Sequence, residues 1–189
     1  MGGRIILAAI LGGIALFVWG AIAHMALPLG TMGMANLPGG ETQVADALRA
    51  NVTQPGVYRL PAWDEQRMSD SAYRDELAAK VKAGPSGLLI VVPKDGLAGE
   101  TIQYLHEGAV CIGLALLAAF LILVAGGLSA LWARILFCVL LASFGLLQTE
   151  ARFWNWYQYP DAFIVAQVID KVVAGVLLDV VIHLVYSKR

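Results

Sequence analysis

Apolar positions gather into four stretches, and the polar residues collect mostly between them. Ile5 to Leu27 carries no charge apart from His24, Ala109 to Leu131 none, and Ile135 to Thr149 none. Ala162 to Tyr186 is apolar except for Asp170, Lys171, Asp179 and His183. About 20 apolar residues cross the hydrocarbon core as a helix. The pattern therefore predicts spans near 5–27, 108–127, 131–153 and 162–186. This is a membrane all-α class, a four-transmembrane-helix bundle with a small α/β extracytoplasmic domain inserted between helices 1 and 2. The divisions are 1–27, 28–107 and 108–189.

The segment between the first two spans alternates its periods. LPLGTMGMANLPGG reads as a loop suited to the bilayer surface. Val44, Ala47 and Leu48 recur at helical spacing over Glu41 to Asn51, with Glu41 near the positive end of the dipole. PGVYRLP, bracketed by prolines, predicts a short or edge strand. Ser69 is an N-cap candidate for a helix over 70–82 that Gly84-Pro85 stops. Gly87 to Val92 is a continuous apolar run, typical of a buried strand, and Pro93-Lys94-Asp95-Gly96 is turn chemistry. Glu100 to Glu107 predicts a helix continuous with the second span, projecting about two turns beyond the bilayer. Gly126-Gly127 and Ser129 supply the next tight turn.

Composition agrees with a bilayer setting: 59% of the residues are hydrophobic, 14% are charged, and the mean hydropathy is +0.71. Orientation follows from the bases. With the N-terminus cytoplasmic, the cytoplasmic segments hold Arg4, Arg134, Lys188 and Arg189 and no acid, as the positive-inside rule requires. The long 28–107 segment, in which acids outnumber bases, then lies outside. Ala21-Ile22-Ala23 matches a signal-cleavage site, but one base in the n-region favours an uncleaved anchor. Asn51-Val52-Thr53 matches a glycosylation acceptor, a short pattern that arises often by chance. Cys111 and Cys138 both fall in spans, so the outer segment has no disulfide and needs packing on the spans or on a partner for stability.

The chemistry concentrates in and before the last span. Trp154, Trp156, Tyr157 and Tyr159 form an interfacial belt, since amphipathic rings settle at the headgroup level. Counting from Asp161, Asp170 and Lys171 sit about 14 Å deep. Neighbouring helical residues point about 100° apart, so each needs its own partner. Glu150 suits Lys171, whose stem snorkels upward, and Arg152 suits Asp170. The alternative is an ion or proton pathway through Glu150, Asp170 and Lys171. Asp170 and Asp179 are nine positions apart, on opposite faces of one helix, which disfavours a single-file relay and favours clamps. Asp179 and His183 share a face and form a secondary polar pair, read as a helix–helix contact near the cytoplasmic end. His24 and His106 lie at one depth on the outer side, a weak haem or metal signal without ligand spacing. His106-Glu107 begins a metalloprotease motif that no second histidine completes. No catalytic constellation, phosphate loop, cofactor fingerprint or nucleic-acid signature appears.

HMALPLG with a following L-P pair, the ETQVADALRANVTQPGVYRLP segment and NWYQYP together resemble a pattern in uncharacterised bacterial inner-membrane proteins. The likeness rests on His24, Leu27, Pro28, Glu41, Val44, Asn51, Gly56, Tyr58, Pro61, Asn155, Trp156, Tyr157 and Pro160. It implies a bacterial inner membrane and a periplasmic outer domain, and no activity. The expected role is accordingly non-enzymatic: an accessory or scaffold protein without a cofactor. Its expected partners are the lipid bilayer and a membrane or periplasmic protein, or a second copy, with no nucleic acid.

Overall fold

The computed structural model describes residues 2–93, 101–126 and 130–187. It is mostly helical and divides into two compact units, residues 1–35 with 99–189, and residues 36–98. The expected turn beyond Pro93, Glu100, Gly127, Ser129, Lys188 and Arg189 lie outside the described residues.

The first unit contains α1 (Gly2–Ala21), α4 (Thr101–Val124), α5 (Leu131–Gln148), α6 (Glu150–Tyr157) and α7 (Asp161–Ser187). Three helical segments are long and apolar enough to cross a membrane: Gly2–Ala26, Thr101–Val124 and Leu131–Tyr157. The first includes a wider π-type turn at Ile22–Ala26 after α1, and the third joins α5 and α6. α7 is as long, but Asp161, Asp170, Lys171 and Asp179 interrupt its apolar character. α4 runs unbroken from Thr101, so Thr101 to Glu107 continues into the second apolar helix as its periodicity indicates.

Small residues face inward and large apolar ones outward. Ala8, Ala115, Ala118, Ala119 and Cys111 are buried in a core with Leu16, Ile122, Cys138, Leu178, Ile182 and Val185. Ile6, Leu7, Phe120, Leu140 and Phe144 are exposed. That distribution suits helices whose backbones approach closely while their bulky side chains meet lipid. The helices pack in the order α4–α1–α7–α5, with little contact between α4 and α5, so α7 lies between α1 and α5 and not at an edge. Gly175 of α7 sits against the backbone of Cys138 and Val139 in α5, where any Cβ would meet atoms at 3.2–3.3 Å.

The loop after α1 belongs with the helices. Leu29, in the 3-10 turn Pro28–Gly30, is buried with Ala23 and Ala166, and Trp19 and Met32 pack against them. Gly33 adopts a φ of +77° and presses on Phe163 at the start of α7, where a side chain would come within 2.6 Å of the Phe163 nitrogen. Residues 28–35 and the start of α4 therefore group with the helices, and the second unit is narrower than the 28–107 segment.

The second unit holds α2 (Glu41–Asn51), β1 (Gly56–Leu60), α3 (Ser71–Ala83) and β2 (Gly87–Val91). The strands pair antiparallel, with Gly56 opposite Val91 and Leu60 opposite Gly87. α3 is capped by Asp70, not by Ser69: its carboxylate accepts from the Ala72 N–H at 2.9 Å. Asp70 has extended backbone dihedrals and occupies the position one residue nearer the first turn, so its oxygen reaches the free N–H groups. Lys80 donates to Glu76 at 2.7 Å, and this hydrogen bond, together with the lysine's charge, holds the Glu76 carboxyl below the usual range. Tyr73 is buried, its hydroxyl accepting from the Asp64 N–H at 2.5 Å and the Arg67 guanidinium lying 4.3 Å over its ring. A second cation–ring contact, Arg59 over Trp63 at 4.2 Å, joins β1 to the following turn. The burial expected of β2 is not found. Ile90 is 72% exposed and faces Val57, itself 64% exposed, because a sheet of only two strands leaves this apolar face open.

Candidate functional site: two polar clamps on the last helix

α7 begins at Asp161, which accepts from the Trp154 indole N–H at 2.7 Å. The Phe153 ring packs against Tyr157 and Tyr159, and Tyr159 against Phe163, at centroid separations of 5.0–5.6 Å. Trp154, Trp156 and Tyr157 remain exposed. The helix before this aromatic group does not run straight through to it. α5 ends at Gln148, Thr149 adopts φ −116° and ψ −71°, and α6 restarts at Glu150. The break puts Glu150 in the first turn of a helix, where the dipole favours a carboxylate.

Nine residues into α7, Asp170 accepts from the Trp19 indole N–H at 2.7 Å. The same N–H approaches the Asp170 carbonyl oxygen at 3.3 Å. The partner is therefore a tryptophan of α1, and not Arg152, which is exposed and makes no ion pair among the described residues. Lys171 donates to Gln167 Oε1 at 3.3 Å and stands 3.8 Å from Glu150 Oε1, the carboxylate expected from depth alone. It also lies 3.9 Å from Asp170 Oδ2, so the two adjacent charges do meet. The 100° between their Cα–Cβ directions is overcome by the flexible four-carbon lysine stem, which folds back along the helix.

The deeper clamp is on the opposite face. Arg134 Nε of α5 donates to Asp179 Oδ1 at 3.1 Å, and its Nη2 approaches the Asp179 carbonyl at 3.5 Å. The two side chains are 7% and 0% exposed. Arg134, counted from sequence among the cytoplasmic bases, lies in the first turn of α5 and is buried against Asp179, so the helix–helix contact expected of Asp179 is made with α5. Asp179 pairs with Arg134 and not with His183, whose Nδ1 is buried without a partner. A signal for Arg134 was available in the sequence. It lies twenty residues before Trp154, and Asp179 lies eighteen after Asp161, so antiparallel helices carry them to matching depths of about 30 and 27 Å.

His24 lies in the π-type turn against Gly30, and His106 on an exposed side of α4. Among the described residues neither makes a hydrogen bond or ion pair, and no three His, Cys, Asp or Glu side chains converge as a metal-holding group. Cys111 Sγ lies 3.5 Å from Glu107 Oε1. Comparison with known protein families, with curated proteins and with solved structures finds no match to this chain.

The upper clamp yields a direct expectation. Lys171→Met strands the Glu150 carboxylate, which is only 15% exposed, and should destabilise the protein by about 1–3 kcal/mol. Adding Glu150→Gln should cost little more, since no orphan charge then remains. Chemical unfolding in detergent checks this, and strictly additive losses in the double variant would refute the pairing.

Proposed function

We propose that the chain is a non-enzymatic accessory or scaffold protein of the bacterial inner membrane. Its four spans are α1, α4, the α5–α6 segment and α7, with both termini cytoplasmic and the 28–107 segment periplasmic. It presents the unit at 36–98 to a membrane or periplasmic partner, or to a second copy. The observation that carries this reading is the use of the charges on α7. Asp170 binds α1 through Trp19, Lys171 binds α6 through Glu150, and Asp179 binds α5 through Arg134. The two aspartates lie on opposite faces and hold α7 from both sides, an arrangement suited to fixing helices and unsuited to passing an ion from one carboxylate to the next.

A small transporter or ion-conducting subunit is the second reading. Its support is the pair of buried, unpartnered carboxylate oxygens, Glu150 Oε2 and Asp179 Oδ2. Proteoliposomes distinguish the two. The scaffold reading expects proton and cation leakage no greater than in empty vesicles, whereas flux that disappears in Lys171→Met establishes transport. Topology is tested by fusions: a reporter active only in the periplasm should work after Ala83 and fail at the C-terminus. The reverse result overturns the orientation.

A further inference from the structure

Trp154, Asn155, Gln158, Tyr159, Pro160 and Asp161 line one open cavity of about 450 Å³ between the end of α6 and the start of α7. Clefts that hold small ligands run from about 300 to 1,000 Å³. The chemistry here is a carboxylate set among aromatic rings. Asp161 accepts from the Trp154 indole N–H at 2.7 Å and forms no ion pair among the described residues. The positive end of the α7 dipole supplies only about half a charge, so the cavity stays net negative. Both rings are held in place: Trp154 by that hydrogen bond, and Tyr159 between Phe153 and Phe163 at 5.5 and 5.0 Å. Indole and phenol faces attract organic cations, and fixed ones lose little freedom on binding. We propose that this cavity binds the ammonium of a zwitterionic phospholipid headgroup, a primary amine as in phosphatidylethanolamine.

The order of charges selects a lipid over a free amine. Arg152 is exposed and stands three residues before Asn155, on the same face of α6. It therefore lies one turn, about 4.5 Å, nearer the bilayer centre than Asn155. A phospholipid with its tails inward presents the same order, an anionic phosphate first and the ammonium beyond it. Arg152 meets the phosphate and Asp161 the ammonium. A hard cation such as calcium requires about six to eight oxygen ligands, and Asp161 is the one carboxylate lining the cavity. An anionic headgroup would set its charge against Asp161. The inference rests on reading the α5–α6 segment and α7 as membrane spans, whose aromatic belt settles at headgroup level.

Native mass spectrometry of the full-length protein, released from detergent with defined lipids, tests the site. Wild-type protein should hold phosphatidylethanolamine about tenfold more tightly than phosphatidylglycerol of the same chains. N-acetylated phosphatidylethanolamine keeps the phosphate and loses the ammonium, and should bind no better than phosphatidylglycerol. Asp161→Asn keeps an acceptor for Trp154 and should abolish the preference. Arg152→Gln should weaken both lipids several-fold, because both carry the phosphate. Soluble phosphoethanolamine at equal concentration should displace neither. Four results each overturn the proposal: no preference in the wild type, a preference that survives Asp161→Asn, binding untouched by Arg152→Gln, or displacement by phosphoethanolamine. Protein that stays dispersed without detergent overturns the span reading and the site with it, whereas a detergent-requiring protein without headgroup preference overturns the site alone.

Discussion

Replacing Arg134 by methionine should destabilise the protein by about 3–5 kcal/mol, the largest loss expected from any single change of charge in the chain. The cause is what remains. Asp179 is 0% exposed and loses both its charge partner and its nearest donor. Asp179→Leu should be costly for the same reason, since it leaves a guanidinium buried at 7% exposure. The double variant should recover most of either loss, as replacing a buried ion pair with apolar side chains of similar size is often neutral. Equilibrium unfolding of the four proteins in one detergent gives the coupling energy. A double variant as unstable as the sum of its parents would show that the two side chains act independently.

Gly13→Ala should produce the second large effect, about 1–3 kcal/mol, by forcing α1 away from α4. A Cβ at Gly13 would lie 2.8 Å from the Ile112 Cα and 2.9 Å from its nitrogen, and backbone cannot step aside as a side chain can. Gly12→Ala should also be costly: its Cβ would lie 2.9 Å from Leu178 Cδ1, which can turn aside, and 2.9 Å from the Ala115 Cβ, which moves only with the α4 backbone. Gly20→Ala is the control. Nothing lies within 4 Å of its Cβ, and alanine in a helix interior is favoured by up to about 1 kcal/mol over glycine. Equal losses at Gly13 and Gly20 would rule out the close α1–α4 approach. A propensity argument by itself favours alanine at all three positions, so the sign at Gly13 reports packing alone.

Much of the helical frame was legible because its cause is local. Runs of apolar residues of sufficient length specify the long helices whatever they pack against, and turn residues such as Gly84-Pro85 end an element by their own backbone preferences. The α2 and β1 limits followed in the same way. The partner of Lys171 was legible for a different reason: helix rise converts sequence distance into depth, and Glu150 lay within reach of a long side chain.

Which helix faces which is not written in periodicity when long helices are apolar on most sides. The order α4–α1–α7–α5 arises from where Gly12, Gly13 and Gly175 let backbones approach, and those contacts join residues far apart in the chain. That order alone brought Trp19 to Asp170 and made Arg152 unnecessary there. It also brought Arg134, near the start of α5, into contact with Asp179. The open face of β2 has a similar origin: a run of apolar residues predicts a strand, but only the number of strands beside it decides whether that strand is covered. Sequence by itself determined where the long apolar helices lie, their order along the chain and the spacing of the charges along α7, because these depend on composition and on a fixed rise per residue. Tertiary structure decided the partners of those charges, because a partner is chosen by the helix that packs alongside, and that choice depends on shape complementarity between segments the chain brings together only on folding.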